Sequence, residues 1–365
     1  MRRNHMKKFL KVLAAGTMAL CMSATLTGCG SSNEGSKDGD VAVLYYNYSD
    51  TYISSVRSAL DKQLTDAGIK FQDYDGNNNQ TTQTEQVNTA ITKGAKVLVV
   101  NIVNTSSDDA ANGIVEEAKK ANLPVIFFNR EVSDDVINSY EKSAFVGTDA
   151  AEAGHLQGQM IGETLLKDYD KYDLNKDGKI SYIMMMGEKG NKEAIFRTQY
   201  AVEDANKVLE AAGKAPLEFY DAANTDKYLV DKDGKWSAQA ANEYMTTALS
   251  SYSESNNNMI ELAICNNDGM AEGVITALGT AGYNTGGDKM IPVFGVDATD
   301  AAKELIKAGK MTGTIKQDAE GMAKAIALLV GNANEDKDLL TGTDSYNVDK
   351  SVAKIRIAYA QYLGE

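Results

Sequence analysis

The chain has 365 residues, 43% of them hydrophobic and 24% charged, and its 51 Asp and Glu outnumber its 37 Lys and Arg for a net charge of −14. So acidic a body argues against nucleic acid and anionic lipid as direct partners and favours solubility. Two histidines and three cysteines leave little material for a His-dependent mechanism or a disulfide framework.

In chain order, Arg2, Arg3, Lys7, Lys8 and Lys11 precede an apolar stretch from Val12 to Leu20 and then small residues up to Cys29. This is the layout of a secretory signal, too short and wrongly flanked for a membrane-spanning helix. Cleavage after residue 28 removes five basic residues and no acidic ones, which takes the net charge from −14 to −19. Residues 29–40 are Gly/Ser-rich and polar, the composition of a flexible tether. Cys21 leaves with the signal, and Cys265 in "LAICNN" reads as a buried structural thiol. His5 lies in the signal, and His155 sits in a helical pattern whose surface is its expected place.

The remaining chain is long enough for two domains. Short β-rich runs at 41–48, 97–103, 124–129 and 144–148 alternate with amphipathic segments such as "TYISSVRSALDKQLTDAG" and "TEQVNTAITKGA". The scheme repeats at 180–187, 260–268, 292–297 and 313–318. Strands alternating with helices predict parallel sheets in an α/β layering, and two such series predict two similar lobes. Ligands of open parallel sheets bind beyond the C-terminal strand ends. Those ends carry Asp50, Asn129, Asn266-Asn267-Asp268, Asp297 and Gln317. Each suits a helix N-cap as well as a ligand; five instances over both lobes predict a polar cleft between them.

"DLNKDGKIS", Asp173 to Ser181, matches the opening of a calcium loop, with oxygen-bearing side chains at alternate positions and Gly178 at the sharp turn. The closing Glu is missing, because position 12 of the loop is Met184. The motif by itself equally describes an Asn/Asp/Gly turn without metal. "VDKDGKW", with Asp231, Asp233 and Gly234, reads as a tight turn.

From Val41 to Tyr359 the chain resembles the periplasmic galactose/glucose-binding protein family, the sugar-capturing components of ABC importers. The stretches that carry the resemblance are "YYNYSDTYISSVR", "GAKVLVVNIV", "NLPVIFFNRE", "SYEKSAFVGTDAAEAG", "YDLNKDGKISYIMMMGEKG", "EAIFRTQY", "ICNNDGMAEGVITAL", "IPVFGVDA" and "AGKMTGTIKQDAEGMAKA", in the family's order. "LTGC", Leu26 to Cys29, also resembles the lipobox of bacterial lipoproteins. Together these imply a signal peptide over 1–28, lipid on Cys29 and a body held outside the cytoplasm at the bacterial cell membrane.

The resemblance implies two Rossmann-like lobes of periplasmic-binding-protein type I joined by a three-segment hinge. The first spans 41–148 plus 318–356 and the second 149–317 plus 357–365. It places Tyr52 and Trp236 on the two faces of a sugar ring. Around the rim it places Asp50, Asn129, Asn191, Glu193, Arg197, Asn267, Asp297 and Gln317. This suits a pyranose, which offers apolar C–H faces and a rim of hydroxyls. Where the family commonly has Phe, His, Asp and Asn, this chain has Tyr52, Asn191, Glu193 and Gln317. A site that reads hydroxyls through fixed hydrogen bonds is sensitive to such changes, so glucose and galactose lead but other monosaccharides stay open.

For the metal loop the resemblance supplies the missing carboxylate from Glu261. A structural calcium is then expected on Asp173, Asn175, Asp177, the Lys179 carbonyl, Ser181 and Glu261. The implied partners are a monosaccharide and the permease and ATPase subunits of an importer, with no nucleic acid, and the protein is expected to be a monomer. The competing expectations are a sugar sensor acting with a chemoreceptor, a repressor of the same bilobal fold, and a glycoside-processing enzyme using Glu193 and Asp297. No DNA-reading helix-turn-helix or hydrolase motif supports the last two.

Overall fold

The computed structural model describes residues 40–364, all within the unit Lys37–Glu365 of the two into which the chain divides. The signal segment and nearly all of the tether, Cys29 included, lie outside the described residues.

The first sheet is built from β1 (Val41–Tyr45), β2 (Phe71–Asp75), β3 (Val97–Val100), β4 (Val125–Phe128) and β5 (Ser143–Gly147). The late strands β12 (Asn347–Asp349) and β13 (Lys354–Arg356) join it, giving the order β12-β13-β5-β4-β3-β1-β2. All its pairings are parallel except β12 with β13. Alternation along β1 sends Val41, Val43 and Tyr45 to one face and Ala42 and Leu44 to the other. The first face packs on α1 (Thr51–Asp66) and α11 (Ala319–Asn334). The second packs on α2 (Gln80–Thr92), α3 (Asp109–Ala121) and α4 (Asp134–Asn138). Burial on both faces is why these strands read as unbroken Val, Ile and Phe.

The second sheet repeats the plan with β6 (Ser181–Met186), β9 (Leu262–Cys265), β10 (Val293–Asp297), β11 (Gly313–Gln317) and the antiparallel edge strand β14 (Tyr359–Tyr362). The two-residue strands β7 (Glu218–Phe219) and β8 (Leu229–Val230) pair with β6. One face carries α5 (Ala150–Lys167), α6 (Tyr169–Tyr172) and α7 (Lys192–Ala211). The other carries α8 (Ala238–Leu249), α9 (Asp268–Thr280) and α10 (Asp300–Lys307). The chain passes between the sheets three times: β5 to α5, β11 to α11, and β13 to β14.

Helix α5 carries Gly154, Gly158 and Gly162 one turn apart, facing α7. A Cβ at these positions would meet the Phe196 carbonyl at 2.5 Å, the Tyr200 carbonyl at 2.7 Å and Val208 Cβ at 2.6 Å. Only bare backbone allows the two helices this close. Their contact fixes the first turn of α7, which carries site residues.

Candidate functional site

All ten residues that the resemblance assigns to a sugar line one cavity. Tyr46, Ile53 and Arg130, which the sequence reading missed, line it too. The elements explain the convergence, because each side chain stands at the C-terminal end of a parallel strand or the start of the next helix. Asp50 caps α1 by accepting from the Ile53 amide at 2.8 Å, Asn191 caps α7 from the Ala194 amide at 3.1 Å, and Asn267 caps α9 from the Met270 amide at 2.9 Å. Capping and cavity lining are therefore one placement at these three residues. Asn101 stands behind the cavity, bonding the Tyr46 amide, the Phe128 carbonyl and Asn129.

The rings differ in support. Tyr52 belongs to the core between α1, α11 and the first sheet, and its hydroxyl donates to Met322 Sδ at 3.8 Å. Trp236 sits in a small cluster with Met186 and Ala194, its ring against Gly187, where a Cβ would lie 2.1 Å from an indole carbon. Trp236 adopts φ 55°, Asn129 φ 60° and Asp297 φ 127°. Asn tolerates this region, but it is an outlier for a bulky residue. Backbone strain thus gathers at the cavity wall, as it does at ligand clamps.

Arg197 is the electrostatic centre. It is 4% exposed, so it is no surface salt-bridge residue. Its Nη1 donates to the Asn266 carbonyl at 2.9 Å, and Nη2 to the Tyr359 hydroxyl at 2.8 Å and to Gln317 Oε1 at 3.2 Å. The guanidinium carbon stands 5.7 Å from the Trp236 ring centre. Burial lifts the Glu193 and Asp297 carboxyls above the usual range, and the Arg197 charge opposes that rise at both. Glu193 Oε1, Arg130 Nε, Arg197 Nε and Gln317 Nε2 are buried and have no hydrogen-bond partner within the protein. An acceptor and three donors left so in one cavity call for a polar partner.

The calcium motif forms a separate loop, and none of its six residues lines the cavity. Glu261 does reach it: Oε1 accepts from the Leu174 and Asn175 amides at 2.7 and 3.3 Å, and Oε2 from the Ser181 amide at 2.8 Å. Asp173 accepts from the Asp177 and Gly178 amides, Asp177 from the Lys179 amide, and Gly178 turns at φ 83°. Ser181 Oγ donates to the Met259 carbonyl at 2.8 Å, so its hydrogen points away from the loop. Among the described residues no three His, Cys, Asp or Glu side chains stand as a ready metal cage. The donors are nonetheless all hard oxygens, and although Glu261 Oε1 accepts from two amides, Glu261 Oε2 and both Asp173 oxygens each accept from only one and keep a lone pair, which fits calcium chemistry.

The other motifs are structural. Asp231 accepts from the Asp233 amide and from Ser237, around Gly234 at φ 62°, closing a tight turn. Cys265 is fully buried, and His155 is on the surface of α5 with Asp204 at 2.6 Å. Among the described residues no helix is long and apolar enough to cross a membrane.

Comparison with known proteins agrees with this architecture. Residues 41–337 match the model of the periplasmic binding protein domain. The chain belongs to the periplasmic binding protein family. It is 36% identical over 328 residues to the D-galactose/methyl-galactoside binding periplasmic protein of Haemophilus influenzae, covering 90% of this chain and 89% of that one. It is also 26% identical to the D-xylose-binding periplasmic protein of Escherichia coli, over 77% of this chain and 74% of that one. Among solved structures, an ABC transporter solute binding protein from Bacillus halodurans with bound myo-inositol is similar, at 25% identity, TM-score 0.66, and coverage of 90% of this chain and 96% of that one. The family member described here is thus a periplasmic sugar-binding protein of the ABC-importer type, and its relatives are transport proteins, not enzymes.

Proposed function

We propose that the cavity captures a monosaccharide, glucose or galactose before others, and that the two lobes present it to the permease and ATPase of an importer. The observation that carries this reading is the combination of Tyr52 and Trp236 at one cavity with the partnerless Glu193 Oε1, Arg197 Nε and Gln317 Nε2. Flat rings suit the C–H faces of a pyranose, and buried charged or amide groups suit its hydroxyls. Trp236 is the chain's one tryptophan, so its emission reports on the cavity directly. Titration with a panel of hexoses, pentoses and methyl glycosides should give saturable emission changes with glucose or galactose at the lowest concentrations. A flat response to every sugar would refute the reading.

Two attachments complete it. Cys29 carries lipid after cleavage, which mass spectrometry of membrane-extracted protein should show as an acylated N-terminal Cys. The loop of Asp173, Asn175, Asp177, Lys179 and Ser181, with Glu261, holds a calcium that clamps it to the start of β9. A cation bound only by the native state stabilises it by mass action, so a chelator should lower the melting temperature by about 5 °C. Sugar binding should largely survive. An unchanged melting temperature in chelator would remove the calcium.

A further inference from the structure

Side chains from the two lobes meet at one edge of the cleft. At the bridged edge, Arg130 follows β4 of the first lobe, and its Nη2 donates to Glu188 Oε2 at 2.5 Å and to the Val103 carbonyl at 2.8 Å. Glu188 follows β6 of the second lobe and also stands 3.5 Å from Trp236 Nε1. The guanidinium lies over the Tyr46 ring, 4.2 Å from its centre, and the Tyr46 hydroxyl donates to Asp50 Oδ2 at 2.5 Å. Two weaker links join the lobes on this side: Asn78 Nδ2 to the Asp233 carbonyl at 2.7 Å and Asn191 Nδ2 to Thr105 Oγ1 at 3.4 Å. A second groove, sharing Tyr52, Asp297 and Gln317 with the cavity, is walled by Ser54, Ser55 and Ser58 of α1 and by Thr299 and Lys303 at the start of α10.

We propose that Glu188 is a positioning residue that, through Arg130, sets how long the closed cleft retains its sugar. This rests on the monosaccharide reading above. Arg130 lines the cavity and Glu188 does not, so Glu188 acts through the guanidinium it holds. The pair exists only when the lobes meet, because its two members belong to different lobes. Both are largely desolvated there, Arg130 at 4% exposure and Glu188 at 19%. Loss of one partner leaves a buried charge with only neutral neighbours, the Val103 carbonyl and Tyr46 ring for Arg130 or Trp236 Nε1 for Glu188, which raises the energy of the closed state and not of the open one. Encounter with the open cleft is governed by diffusion and orientation, so the effect falls on release.

The test is stopped-flow Trp236 emission with D-glucose and with D-galactose, on wild type, Glu188→Gln, Arg130→Gln and the double variant. Glu188→Gln should release sugar about tenfold faster with its association rate changed less than about threefold. The double variant should release no faster than Arg130→Gln alone, since the pair acts as a unit. A Glu188→Gln release rate within about twofold of wild type, or single effects that simply multiply, would overturn the proposal. If neither hexose binds, the same kinetics are read with whichever sugar of the panel does; if none binds, the monosaccharide reading fails, and small-angle scattering of the sugar-free proteins decides the latch by itself. A larger radius of gyration in Glu188→Gln supports it, and an unchanged one overturns it.

Discussion

The first lobe presents Tyr46, Asp50, Tyr52, Ile53, Asn129 and Arg130 to the cavity, whereas the second presents Asn191, Glu193, Arg197, Trp236, Asn267, Asp297 and Gln317. Of the four partnerless cavity atoms, those on Glu193, Arg197 and Gln317 belong to the second lobe and Arg130 Nε belongs to the first. First-lobe residues are better tied: Tyr52 into a hydrophobic core, Asp50 to a helix cap and Tyr46, Asn129 to Asn101. Under the monosaccharide reading, the difference amounts to a division of labour in which the second lobe supplies most of the grip on the ligand's polar rim and the first lobe, through Arg130, the remainder. Hinged two-lobe proteins allow this separation because closure and contact are different steps.

Four changes sharpen or break that division. The largest effect is expected from Arg197→Met, which removes the charged fork among buried acceptors; sugar affinity by calorimetry should fall about a hundredfold or more. Next is Gly187→Ala, whose methyl would enter the space of the Trp236 ring at 2.1 Å. It should weaken sugar binding by about tenfold and shift the Trp236 emission maximum in the sugar-free protein. On the first lobe, Tyr52→Ala removes a core residue as well as a sugar face. It should cost about 3 kcal/mol in denaturant unfolding besides weakening affinity, a double penalty not expected of Arg197→Met. Equal stability losses from the two variants would break the comparison.

The smallest effect concerns pH. Burial, the charge of Asp61 and a shared hydrogen bond push Asp73 of β2 up to about 7, and Asp61 of α1 is raised by burial in turn. Arg57 lowers both, while Tyr45 and Tyr48 lie close by. In the second lobe burial lifts Asp268 to about 7, against bonds from Thr314 and Thr299. A carboxyl raised in the folded state contributes stability that is present below its unfolded pKa near 4 and lost as pH rises through about 7. The melting temperature should therefore fall from pH 5 to pH 8. Asp73→Asn should flatten the first-lobe share of that slope, leaving the share of Asp268. An unaltered slope would show that Asp61 and Asp73 share no proton.

The alternation of strands and helices was legible because doubly buried strands must be continuous apolar runs. β2 was not: "FQDYD" is polar and half exposed at a sheet edge. The short strands β7, β8, β12 and β13 carry too few residues for a period, and three of the four lie at sheet edges or off the main path. Strand-end Asp and Asn left capping and ligand contact as alternatives, and Asp50, Asn191 and Asn267 do both structural jobs at once. Which strand ends share a cavity came from the family resemblance, since local patterns carry no information on lobe pairing. Tyr46 was hidden inside an apolar run. Arg130 was discoverable, because it directly follows Asn129 at a C-terminal strand end, where a cation is placed to face the cleft.

The account turns on a sugar ring held between the lobes. A crystal structure grown with D-glucose or D-galactose tests it most directly. It should show the pyranose between Tyr52 and Trp236, with hydroxyls on Glu193, Arg197 and Gln317 and the Arg130–Glu188 pair closed. A ring bound elsewhere on the molecule, or a cleft that takes neither sugar, would contradict it.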